Sequence, residues 1–217
     1  MDWFEQVDGY CERLGPGVWD EPLNAVTNLA FMVAAIRVWP RARGNGRVLS
    51  VILFVIGLGS GLFHTLATVW AGVADVLPIV LFILTYIYAV HRDVLGWRPV
   101  GSGMASLMFL PFAAGVAQVA GSLPFFAVSG VYWAVPVALL AYGAVLGGAV
   151  RAGFWRGAAI LALSITLRSL DDPLCQVVPI GTHFLWHLLN AAMLAYMIVV
   201  HSRLKGDAPL AASGLGR

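Results

Sequence analysis

Residues 48–70 read VLSVILFVIGLGSGLFHTLATVW, a run with no Asp, Glu, Lys or Arg whose one histidine is His64. It is long enough for a helix to cross the hydrocarbon core, which takes about 20 apolar residues. A lone strand is excluded, because its backbone groups would go unpaired in lipid. Residues 73–91, VADVLPIVLFILTYIYAVH, repeat the pattern with one carboxylate, Asp75. Working outward, apolar segments occupy 24–40, 103–121, 126–148, 156–170 and 181–201, the sixth segment being short for a span. The expected fold is therefore all-α, a polytopic membrane protein of seven transmembrane helices.

Composition agrees with this reading. Of 217 residues, 60% are hydrophobic and 11% charged, with a mean hydropathy of +0.84, whereas a soluble domain carries roughly 25% charged residues. The net charge of +2 is too small to point to nucleic acid. Asp2, Glu5, Asp8, Glu12, Asp20 and Glu21 crowd the first 23 residues, so these do not read as a cleavable signal peptide. Glycines at 57, 59, 61, 143, 147 and 148 suit close helix packing. Residues 1–205 read as a single domain, with 1–23 as an extracytoplasmic segment and 206–217 as a disordered cytoplasmic tail.

Basic residues set the expected orientation. Arg37, Arg41, Arg43, Arg47, Arg92, Arg98, Arg151, Arg156, Arg203 and Lys205 fall on one side, and only Arg13 and Arg168 on the other. With an odd number of spans, this puts the N-terminus outside and the C-terminus in the cytoplasm. The two cysteines, Cys11 and Cys175, then share the outer face, where a disulfide can form; two unpaired small residues are the alternative. The Ala-, Gly- and Arg-rich composition and short loops suggest a bacterial cytoplasmic membrane.

The same topology sorts the histidines. His91 and His201 fall at inner ends and read as interfacial. His64, His183 and His187 share the outer level, and His183 and His187 are spaced i, i+4 on one helical face. Such a pair plus a third histidine makes a three-His zinc site with an open position. Haem ligation and satisfied packing histidines are the other readings. Asp75 and Ser60 lie near that level, and an intramembrane carboxylate is costly unless it is paired or functional.

The segment Gly59-Ser60-Gly61-Leu62-Phe63-His64, then Asp75, then His183-Phe184-Leu185-Trp186-His187, resembles the signature of the alkaline ceramidases. These belong to a seven-helix hydrolase superfamily that also includes the adiponectin-type receptors. Tyr10-Cys11-Glu12 and the stretch from Glu21 through Asn24 to Asn28 resemble the family's D-W-C-E and E-x-x-N-x-x-S-N elements. Asp171 to Cys175 resembles its D-x-x-x-C. The resemblance implies zinc on His64, His183 and His187, with a water in the fourth position. Asp75 would take a proton from that water and pass it to the leaving amine, and Ser60 would hydrogen-bond the carbonyl or its oxyanion. The implied reaction is hydrolysis of an N-acyl lipid amide such as ceramide, within the membrane. The resemblance also implies a Cys11–Cys175 bridge.

The family's calcium element matches less well. Asp8, Glu12, Asp20 and Glu21 are the calcium candidates, and a solvated acidic face is the equal alternative. The expected aspartate before the cysteine is Gly9, Leu14 stands roughly where an asparagine is expected, and the segment from Glu12 to Glu21 is shorter. A receptor-like or lipid-binding protein with a structural zinc is the competing function.

Overall fold

The structure is a computed structural model that describes residues 2–7 and 9–212, the side chains of 149 and 206–212 excepted. Its described residues are helical throughout, apart from turns, loops and an isolated bridge between Gln6 and Thr68. Seven helices are long and apolar enough to cross a membrane. They are α1 Pro22–Arg41, α2 Asn45–Leu66, α3 Val69–Val94, α4 Pro99–Gly121, α5 Ala127–Leu146, α6 Val150–Ser169 and α7 His183–Lys205. The outward face of α4 displays Val100, Met104, Leu107 and Met108, each more than 60% exposed, an apolar stripe suited to lipid. Together these features mark an integral membrane protein.

All seven expected segments are present, with their ends shifted by a few residues. The sixth shifts most: expected at 156–170, it begins at Val150 and is of full membrane length. Arg151 and Arg156 made its start read as loop, yet both belong to the helix. The Arg151 guanidinium lies over the Trp155 ring, 5.6 Å from its centroid, one helical turn along. At the other end of the chain, the α7 backbone continues to Ala212, overlapping the start of the tail expected to be disordered; residues 213–217 lie outside the described residues.

Helix α2 packs closely on α3, α5 on α6, and α7 on both α6 and α1. The tightest approach follows from two residues. Pro78 has no N–H to offer the carbonyl four residues back, so the Ala74 carbonyl loses its helical partner. Gly59 faces that carbonyl: a Cβ there would overlap it and lie 3.4 Å from the Asp75 Cα. The missing side chain at Gly59 thus brings the helix bearing Ser60 and His64 against the helix bearing Asp75. Gly147 and Gly148 serve differently, as the turn between α5 and α6, with φ of +65° and +53°.

The N-terminal segment crosses one end of the bundle. Val7 N donates to Ala67 O at 2.7 Å, Val69 N to Glu5 O at 3.1 Å and Trp70 N to Trp3 O at 3.1 Å. A Cys11–Cys175 disulfide, with Cα atoms 5.4 Å apart, fastens this segment to the connection between α6 and α7. At the opposite end, Asp93 accepts from Asn45 Nδ2 at 2.9 Å and Lys205 Nζ at 3.3 Å, and lies 3.1 Å from His201 Nε2. His91 and His201, the two histidines at this end, are both buried among protein groups, His201 completely.

Candidate metal centre

The last turn of α2 and the first two turns of α7 meet under the N-terminal segment and carry His64, His183 and His187. All three are buried, with exposures of 0%, 2% and 1%. Each offers one ligand nitrogen, and these atoms lie within 4.8 Å of one another. Three nitrogens in this group, His64 Nε2, His183 Nδ1 and His187 Nε2, have no hydrogen-bond partner. Buried polar atoms are ordinarily paired, and three orphaned nitrogens in one buried group could hold a metal ion.

The surroundings fix two of the rings. His64 Nδ1 lies 2.6 Å from Glu21 Oε2, and the carboxylate accepts the Nδ1–H. His187 Nδ1 lies 2.9 Å from Thr27 Oγ1, whose own proton is within reach of the Leu23 carbonyl at 2.8 Å. A hydroxyl donating to a carbonyl must accept from the imidazole, so His187 also carries its proton on Nδ1. Both rings therefore turn an Nε2 lone pair toward the common centre, the usual arrangement for metal-binding histidines. His183 is held by packing: the Tyr10 ring stacks on it at 3.7 Å between centroids. Its backbone N–H donates to Asp171 Oδ1 at 2.8 Å, which caps the start of α7.

Ser60 and Asp75 stand together at a narrow apolar cavity that reaches Phe31, Phe82, Trp186 and Met193. Trp186 is the neighbour of His187 in sequence, and the Phe31 ring lies 6.1 Å from the His187 ring, so the cavity begins beside the histidines. A second narrow apolar cavity shares Phe82, Ile83, Val135, Met193 and Leu194 with the first and extends to Tyr142. Apolar walls with a few polar groups at one edge are the usual make-up of a small-molecule site.

Of the four calcium candidates, the three that are described each have protein partners of their own. Asp8 lies outside the described residues. Glu12 accepts from the backbone N–H groups of Leu23 and Asn24, both at 2.7 Å, and so caps α1. Asp20 accepts from Gly17 N at 2.7 Å within its own loop. Glu21 is committed to His64, Asn24 and Arg13. Among the described residues, the histidine trio is the group able to hold a metal ion.

Sequence reasoning passed over two arginines and the aromatic rings that surround one of them. Arg168 was read as a topology marker. It donates to Ser129 Oγ at 2.8 Å and Tyr10 Oη at 3.4 Å, and its guanidinium lies over Tyr10, Tyr132 and Trp186 within 6.0 Å of each ring. An arginine at the end of an apolar span is itself a signal, since it is costly there without partners. Burial pushes the Tyr10 hydroxyl up to about 12 against the opposing pull of Arg168, so Tyr10 stays a neutral phenol at ordinary pH. Arg13 is buried against Glu21. The chain matches no protein-family model and no curated protein.

Proposed function

We propose that this protein is an intramembrane zinc-dependent amidohydrolase that cleaves the N-acyl amide of ceramide or a similar long-chain lipid. The observation that carries the reading is the set of three orphaned histidine nitrogens in one buried group, with Ser60 and Asp75 lining an apolar cavity near it. Structural zinc sites are closed by four protein ligands, whereas three histidines leave a position open. A structural ion also needs neither a serine nor a carboxylate beside it.

His64, His183 and His187 would hold the ion. When bound, zinc lowers the pKa of a water toward ~7 and polarises a carbonyl. Asp75 accepts the proton of the attacking water and returns it to the departing amine nitrogen, so that the C–N bond breaks with the amine as leaving group. The Ser60 hydroxyl donates to the amide oxygen as charge develops there. Phe82, Ile83, Val135, Met193 and Leu194 line the path for an acyl chain and exclude water from it. The site faces the extracytoplasmic side of a bacterial inner membrane, because the opposite end carries Arg41, Arg43, Arg47, Arg92, Arg98 and Lys205.

The test joins metal analysis to an amidase assay over a panel of N-acyl lipids, with ceramide first. The expected result is one zinc per chain, lost in His64→Ala, and fatty acid released only by the metal-loaded protein. Cleavage by metal-free protein would end the proposal. Full zinc with no turnover of any amide would favour a lipid-binding protein with a structural ion, and a Soret band would indicate haem.

A further inference from the structure

Arg13 is 6% exposed although it precedes the first membrane helix. A buried guanidinium requires a matching set of acceptors, and it has four. Nε donates to Glu21 Oε1 at 2.5 Å, Nη1 to the carbonyls of Gly15 at 2.9 Å and Gly17 at 3.3 Å, and Nη2 to the carbonyl of His64 at 3.1 Å. These oxygens come from the N-terminal loop, the start of α1 and the end of α2. One carboxylate and three carbonyls are also the donor set that a hard divalent cation prefers. Here a side chain of the same protein fills the position.

We propose that Arg13 is a resident cation standing where a divalent ion such as calcium would otherwise bind, and that it positions His64 through Glu21. Its charge and fork geometry hold Oε1 of Glu21, which leaves Oε2 to accept the Nδ1–H of His64 at 2.6 Å. That contact turns the His64 Nε2 toward the metal centre. The bond to the His64 carbonyl fixes the backbone of the same residue. Lysine is no equivalent, since a point charge with three rotatable donors does not reach four oxygens as the five-donor guanidinium fork does. The three-His centre therefore needs no second ion at the N-terminal segment, and Arg13 is a positioning residue for it.

The inference rests on the reading of the histidines as a metal site, and the experiment separates the two. Full-length protein in detergent is titrated with CaCl2 to about 10 mM, beyond the weakest extracellular calcium sites. Tm and zinc affinity are followed for wild type, Arg13→Lys and Arg13→Gly. Wild type is expected to show no response to calcium in either readout. Arg13→Gly is expected to bind zinc about 10–100-fold more weakly, the usual cost of losing an outer-shell partner, and to regain affinity with calcium but not magnesium. Arg13→Lys is expected to fall between them. A calcium response in wild type, or unchanged zinc affinity in the Arg13 variants, overturns the proposal. If the glycine variant does not fold, the lysine variant and the wild-type titration decide. A wild-type protein that holds no zinc at all refutes the metal reading instead.

Discussion

Glu21 and His64 are 43 residues apart in the chain and meet in a buried pair, Oε2 to Nδ1 at 2.6 Å, that joins the start of α1 to the last turn of α2. Burial alone would push the Glu21 carboxyl up. The hydrogen bonds from His64, Arg13 and Asn24 outweigh it and hold the carboxyl below the usual range. Glu21 is thus an anion inside the protein, with a cation on one oxygen and an imidazole N–H on the other.

Glu21→Gln is expected to weaken zinc binding by about 10–100-fold. The amide no longer dictates that His64 Nδ1 carries the proton, and it leaves the Arg13 charge uncompensated. Breaking a buried pair costs about 3–5 kcal/mol, so Tm falls as well. Chelator competition for zinc, alongside thermal unfolding, checks both effects. Wild-type affinity in Glu21→Gln would show that the pair does not orient the ring.

Thr27→Val should weaken zinc less than Glu21→Gln does. The hydroxyl bonded to His187 Nδ1 is neutral, and hydrogen bonds to charged groups are worth roughly twice as much as neutral ones. Thr27→Ser keeps the acceptor and should bind zinc as wild type does. The ordering of the three variants in one competition assay is the measurement, and a valine variant weaker than the glutamine variant contradicts it.

These two residues show what the sequence could tell. The seven spans were legible because a chain in lipid must satisfy its backbone within each helix, which leaves long apolar runs as an unavoidable mark. The three histidines were legible because their charge and polarity are out of place in such runs. Glu21 and Thr27 were visible only as members of a short polar element, and Glu21 was assigned to calcium. Their contact with the histidines depends on how α1 leans against α2 and α7, which no local pattern encodes. Arg13 was hidden for a further reason. An arginine in an acidic segment reads as solvated, and only the fold shows carbonyls from separate segments turned toward it.

The Cys11–Cys175 bridge closes a span of 164 residues and holds the segment bearing Tyr10 over His183. Removing a native disulfide costs a small domain about 2–5 kcal/mol. The Cys11→Ser/Cys175→Ser variant is therefore expected to unfold at lower temperature. It should also release zinc faster, since the stacked ring that covers His183 is less firmly held. A zinc off-rate equal to wild type, measured by transfer to a chromogenic chelator, would mean that Tyr10 does not guard the site.

Asp75→Asn is expected to retain stoichiometric zinc and lose about 10²–10⁴-fold in kcat, the usual worth of a general acid–base group. Asp75 is absent from the histidine group, so its loss should leave the ion in place. Ser60→Ala should also keep zinc and lose activity, through a missing donor to the amide oxygen. Single-turnover fatty-acid release with parallel metal analysis separates these effects. Loss of zinc in either variant would move that residue from chemistry to metal retention.

Gly59 and Gly61 offer the sharpest contrast between packing and chemistry. A Cβ at Gly59 overlaps the Ala74 carbonyl that Pro78 leaves without its helical donor, whereas a Cβ at Gly61 meets only the Asn28 Cβ at an ordinary 3.9 Å. Overpacking a close contact costs about 1–3 kcal/mol. Backbone cannot yield as a side chain can, so Gly59→Ala must push α2 away from α3. That separates Ser60 and His64 from Asp75 without altering any of them. Gly59→Ala is therefore expected to lower both Tm and turnover while zinc remains bound through the two histidines of α7 and a displaced His64. Gly61→Ala should match wild type in both measurements. Equal behaviour of the two alanine variants would show that the α2–α3 contact does not set the distance between the carboxylate and the metal centre.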